Sequence, residues 1–188
     1  VPRSPLLTSD DWPEAELRAA VLAGELVAVG DCWASPAEPQ TPRLRAAAVA
    51  WTLRDQRLIA CTRTAAWIWG AASRPPTPID ACISPQLRVH VGGGVRLREV
   101  VLAEGDAVWM GDLRVTTPLR TAVDLLRSPS PPGTSFGGAE ESAAAGLITS
   151  GAVTVDALDR RLGGLGTIPM ARQAERRLRV LLDRLSPR

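Results

Sequence analysis

The chain's 188 residues allow one compact domain, or a small module beside a larger one, and 45% hydrophobic content supplies a real core. All 22 basic residues are arginine and there is a single histidine, His90. This excludes lysine-dependent phosphate loops, Schiff bases and nuclease centres, as well as two-histidine metal helices. Net charge is only +2, so bulk charge does not announce a nucleic-acid binder.

Cys32, Cys61 and Cys82 lie far apart, without a CxxC pair. That pattern argues against a disulfide framework and against structural zinc, and fits buried thiols in a reducing cytosol. No stretch reaches the roughly 18 apolar residues of a membrane helix. The expectation is a cytoplasmic, non-enzymatic protein with no catalytic residue, no metal and no cofactor.

Thr8, Ser9 or Asp10 caps a predicted helix running to about Ala23, with Leu17, Ala20, Val21 and Gly24 inward. Leu26–Val29 and Cys32–Ala34 read as two short strands about a Gly30-Asp31 turn. A helix followed by a hairpin outlines a winged helix-turn-helix-like module over 1–35. The proline-rich 36–42 reads as a linker to an α+β domain over 43–188, whose 139–188 part is helical.

Arg43–Arg54 is a predicted helix with Leu44, Ala48 and Trp51 inward; Leu58–Cys61 is a short strand. Thr62 or Thr64 caps a helix ending at Gly70. Within it Trp67 and Trp69 stand two apart and cannot share a face. The period then changes to two. Ile79–Ile83, Leu87–Val91, Val95–Leu102, Ala107–Met110 and Leu113–Thr116 read as strands of a mixed, mostly antiparallel sheet. Gly92–Gly94 reads as a hairpin turn; no helix follows it, so it is no phosphate loop. His90 on a strand reads as a packed or surface residue.

Thr117 caps and Pro118 opens a helix to Arg127. Arg120 and Asp124, four apart, share a face and can pair. Two roles stay open for them: a half-buried clamp between helix and sheet, or direct ligand or nucleic-acid contact. Ser128–Gly138 is low-complexity and reads as mobile. Helices follow at about 139–150, 155–163 and 169–185.

Charge is unevenly distributed. From Ser9 to Ala34 the net is −5, from Arg43 to Arg63 it is +4, and from Arg160 to Arg188 it is +6. Arg43, Arg45, Arg54, Arg172, Arg176, Arg177 and Arg179 are therefore the candidate contacts to nucleic acid or an acidic partner. In the last helix Met170, Ala174, Leu178, Leu181, Leu182 and Leu185 form the inner stripe. Arg172, Arg176 and Arg179 align on the other face, flanked by Arg177 and Arg184.

The run from Thr116 to Leu126, TTPLRTAVDLL, after the strand Leu113–Thr116, resembles a motif of AbiEi-like antitoxins and related actinobacterial regulators. The similarity extends in order to the turn Ala23–Leu26, the helix Thr62–Gly70, the strand Val89–Val91 and the segment Gly151–Leu158. It implies a DNA-binding winged helix, a carboxyl domain needed for antitoxin action, and a neighbouring nucleotidyltransferase-like toxin. Operator DNA, that toxin and a second copy in a homodimer are the implied partners. The segment Leu22–Trp33 departs from the family's basic pattern, since the arginines that would meet phosphate are absent. An interaction module that has lost DNA binding is the competing expectation.

Overall fold

The computed structural model describes residues 5–129, 138–166 and 170–185. At the amino end β1 (Leu6–Leu7) leads into a turn whose Asp11 carboxylate accepts from both the backbone and the hydroxyl of Thr8, at 2.9 and 2.8 Å. Because these groups serve their own turn, none of them caps the next helix. α1 (Glu14–Leu22) begins behind Pro13 without a side-chain cap, and buries only Leu17. β2 (Val27–Val29) and β3 (Cys32–Ala34) form the expected hairpin, with Gly30 at φ 63 supplying its left-handed corner. β1 joins β3 antiparallel, giving the order β1-β3-β2. A two-residue strand carries no readable period, so the sequence did not announce it.

Thr41 accepts from the Leu44 amide at 3.2 Å and caps α2 (Pro42–Leu53), with Pro42 in the first turn. Residues 35–41 hold neither helix nor strand. Even so, Leu6, Val29, Cys32 and Ala34 share one core with Leu44, Ala48 and Val49 of α2, so packing is continuous across the segment read as a linker. Arg54 ends α2 in the left-handed region, at φ 50.

The main sheet comprises β4 (Ile59–Ala60), β5 (Ile79–Ile83), β6 (Val95–Glu99), β7 (Ala107–Met110) and β8 (Leu113–Thr116), in the order β6-β5-β4-β8-β7. β4–β5 and β7–β8 are antiparallel, whereas β4–β8 and β5–β6 are parallel. With the small sheet, four of the six pairings among the described residues are antiparallel.

Two details differ from the sequence reading. Leu87–Val91 is not a strand, and Gly92–Gly94 is not a hairpin turn. Parallel neighbours need a connection that carries the chain back to the same end of the sheet, and residues 84–94 supply it. β6 also stops at Glu99, because the chain there leaves the edge strand.

One face of the sheet presents Ala60, Ile79, Ala81, Ile83, Leu113 and Val115 to α2 and to α3 (Thr62–Ile68). The register sets Arg98, Cys82, Ile59, Arg114 and Trp109 side by side across the other face. β6 and β7 are consecutive in the chain but lie at opposite edges. Residues 100–106 therefore cross this second face as a strap, and Val100 and Leu102 pack on Ile59, Cys61 and Cys82.

The carboxyl half is helical: α4 (Pro118–Leu126), α5 (Gly138–Thr149), α6 (Val155–Gly163) and α7 (Ala171–Leu185) close around Leu125, Leu126, Leu147, Leu158 and Leu178. Most of the low-complexity run, residues 130–137, and Pro169 at the expected start of the last helix lie outside the described residues. α7 buries Ala171, Ala174, Leu178 and Leu181, while Met170 and Leu185 at its ends are exposed rather than part of the inner stripe. Among the described residues no helix is long and apolar enough to cross a membrane.

Candidate macromolecular interface

The Thr117-Pro118 pair starts α4 as its residue types require. Pro118 occupies the first turn, where no amide is needed, and the Thr117 hydroxyl accepts from the Arg120 amide at 3.3 Å. Behind it the hydroxyls of Thr116 and Thr121 meet at 2.7 Å in the core. This start aims Arg120 back along the sheet end.

Arg120 Nε donates to Asp124 Oδ2 at 2.8 Å, and Nη1 donates to Asp106 Oδ2 at 2.5 Å. Arg161 of α6 donates to the other Asp106 oxygen at 3.0 Å. Asp106 also accepts from the Ala103 amide through its side chain, and from Thr117 through its carbonyl. The result is a charge chain, Asp124–Arg120–Asp106–Arg161, that ties α4, the strap and α6 together. Burial works against the Arg120 charge, but the bonds to Asp124 and Asp106 outweigh it and hold the guanidinium above its usual range. Burial pushes the Asp124 carboxyl up, against the pull of Arg120. This geometry is that of a clamp. Asp106 and Arg161 were not foreseen, because spacings of 14 and 55 residues leave no periodic trace.

A second buried carboxylate, Asp80 of β5, stands 3.1 Å from Arg63 Nε and 3.4 Å from Arg96 Nη1. Its amide donates to Thr64 Oγ1 at 2.7 Å. Sequence reasoning did not single out these residues, since Asp80 sits unmarked within an apolar strand.

The candidate contact arginines separate into two groups. Arg45 donates to the Trp67 carbonyl at 2.6 Å and lies over its ring at 5.3 Å. Arg177 is 5% exposed and donates to the carbonyls of Leu126 and Ser128 at 2.7 and 2.6 Å. These two face inward and serve packing, which departs from the expected surface role. Helical phase explains Arg177: it precedes Leu178 on the buried stripe, and the open carbonyls at the end of α4 receive it. Arg54 pairs with Asp10 at 2.9 Å and stacks on Trp51 at 4.8 Å, so it bridges α2 to the amino-terminal turn. Arg43 is exposed at the start of α2.

Arg172, Arg176 and Arg179 are exposed in one row along α7. The +4 stretch from Arg43 to Arg63 is largely spent within the fold, through Arg45, Arg54, Arg63 and the Arg57–Asp55 pair. The acidic stretch stays open, with Asp11, Glu14, Glu16, Glu25 and Asp31 all exposed. Two tryptophans are exposed, Trp12 and Trp109, while Trp67 is buried and Trp69 donates to the Thr116 carbonyl at 2.9 Å.

None of the curated proteins matches the chain. It is similar to the crystal structure of the RV2827C protein from Mycobacterium tuberculosis, at 19% identity and a TM-score of 0.45, over 95% of this chain and 71% of that one. Residues 58–183 match the family model of the AbiEi antitoxin C-terminal domain, which spans 126 of the 188 residues and holds both charge clusters, β4 to β8, α3 to α6 and most of α7. By that match the chain belongs to the AbiEi antitoxin C-terminal domain family.

Proposed function

We propose that this chain is a non-enzymatic antitoxin that also binds DNA as a transcriptional regulator, with α7 rather than the amino-terminal module meeting the phosphates. The observation that carries this reading is the exposed row of Arg172, Arg176 and Arg179 on a helix whose opposite face is buried. Free guanidinium groups on a rigid helix can displace condensed counterions from a duplex. The amino-terminal β1-α1-β2-β3 arrangement supports a winged-helix-like ancestry. Its six exposed carboxylates, of which Asp10 is paired with Arg54, would be repelled by a phosphate backbone. Family membership supports a toxin partner, which we assign to the nucleotidyltransferase-like class. Arg43 flanks the proposed contact set, and Arg54 joins it only by releasing Asp10.

A gel shift with DNA from upstream of the protein's own reading frame, run across salt concentrations, tests the reading. Binding that weakens steeply with salt supports it, and a flat response overturns it. The open acidic surface favours a second reading, a protein-interaction module without DNA binding. That reading predicts toxin neutralisation with no gel shift at any salt concentration.

A further inference from the structure

Beneath the strap, where α4 meets the second face of the sheet, lies a cleft of about 210 Å³. Cys61, Cys82 and Arg98 form its floor, Val100 of the strap one side, and Arg120, Asp124, Arg127 and Ser128 the other. Thr62 enters from the start of α3. We propose that this cleft binds a small phosphoryl-bearing anion, either inorganic phosphate or the phosphate of a nucleoside monophosphate.

Three guanidinium groups line the cleft against one carboxylate. Arg120 is already engaged by Asp124 and Asp106, so the positive charge open to a ligand is that of Arg98. Arg98 forms no ion pair among the described residues, although both other charged residues of its own strand do: Arg96 with Asp80 and Glu99 with Arg88. The parallel register sets Arg98 beside Cys82 instead, so it faces the cleft without a counter-charge.

Guanidinium forks match phosphate oxygens in geometry as well as charge. Size narrows the ligand further. Pockets for drug-sized molecules run from roughly 300 to 1,000 Å³, so this one accepts a phosphoryl group with part of its carrier and excludes a dinucleotide cofactor.

The test titrates the full chain with sodium phosphate or adenosine monophosphate, against sodium chloride at equal ionic strength, following thermal unfolding and backbone-amide NMR. The expected result is saturable stabilisation by phosphate. Amide shifts should be confined to Cys61, Thr62, Cys82, Arg98 and Arg127–Ser128. Arg98→Ala should weaken the apparent affinity about tenfold or more, and Arg98→Gln serves if the alanine variant does not fold. Arg172→Ala, on the exposed α7 row outside the cleft lining, should respond like the unaltered chain, which separates this site from the DNA reading. Tighter binding of the monophosphate marks the phosphate monoester as the ligand, and equal binding marks the free ion. No saturation, equal responses from the unaltered chain and the Arg98 variant, or shifts centred on α7 would each overturn the proposal.

Discussion

Arg177 of α7 donates to the carbonyl oxygen of Leu126, the last residue of α4, at 2.7 Å, while its neighbour Arg176 faces solvent. One helix thus devotes adjacent arginines to opposite purposes. Replacing Arg177 by alanine leaves one buried and one half-buried carbonyl short of a charged donor. The expected loss of stability is about 2–3 kcal/mol in a urea melt. Arg176→Ala should stay within about 0.5 kcal/mol of the unaltered chain. Equal effects from the two variants would contradict the assignment.

Arg120 is the centre of the clamp. Arg120→Ala strands the half-buried Asp124 carboxylate and leaves Asp106 with Arg161 as its remaining charge partner, at an expected cost of about 3 kcal/mol. Denaturant unfolding checks this, and an unchanged midpoint would refute the clamp.

The α7 row bears on the DNA reading. Changing Arg172, Arg176 and Arg179 together to alanine should reduce the slope of log affinity against log salt by about 2.7, if each meets one phosphate of a duplex. The fold itself should be unaffected, because all three side chains are exposed. A triple variant that binds with the original slope moves the phosphate contacts elsewhere.

Alkaline pH probes the core between the small sheet and α2. Burial, aided by the charges of Asp31, Asp10 and Asp11, pushes the Cys32 thiol up to about 12 from an ordinary value of 9.0. A folded-state value above the unfolded one favours the protonated form. The stabilisation is therefore complete below pH 9 and fades as pH rises towards 12, by at most about 1.4 kcal/mol per unit. Chemical unfolding at pH 8, 9.5 and 10.5 should show this decline, and Cys32→Ala should flatten it. A Cys32→Ala chain with an undiminished alkaline loss would show that this thiol is not its source.

Gly146 lies in the middle of α5, where a glycine ordinarily weakens a helix. A Cβ there would sit 2.3 Å from the Ala71 carbonyl oxygen, a backbone atom that cannot swing aside. Gly146→Ala should cost about 1–3 kcal/mol despite its better helix propensity. A rise in melting temperature would show that α5 can back away from Ala71.

The sequence announced elements whose local chemistry stands alone. Thr117-Pro118 carries its own cap and first-turn chemistry, and the strands Cys32–Ala34, Ile79–Ile83, Ala107–Met110 and Leu113–Thr116 are bounded by turn residues on both sides. Partnership was not legible. Leu87–Val91 alternates like a strand, yet β6 takes the place beside β5 and leaves it none. Arg45 and Arg177 look like their exposed neighbours until helical phase and open carbonyls are known. The Arg98 cleft depends on β6 lying parallel to β5 under a strap, and that arrangement exists only once the chain has crossed the sheet.

That crossing also shapes how the molecule must assemble. β7 and β8 can zip as a local hairpin early. β4 cannot gain its parallel neighbour until β8 has been made and the strap has spanned the sheet. Joining two such distant stretches requires a large loop-closure entropy before any pairing repays it. Refolding should accordingly take on the order of milliseconds to seconds rather than the microseconds of helical bundles. Until β4 docks, the hairpin's β8 edge remains open to another newly made chain.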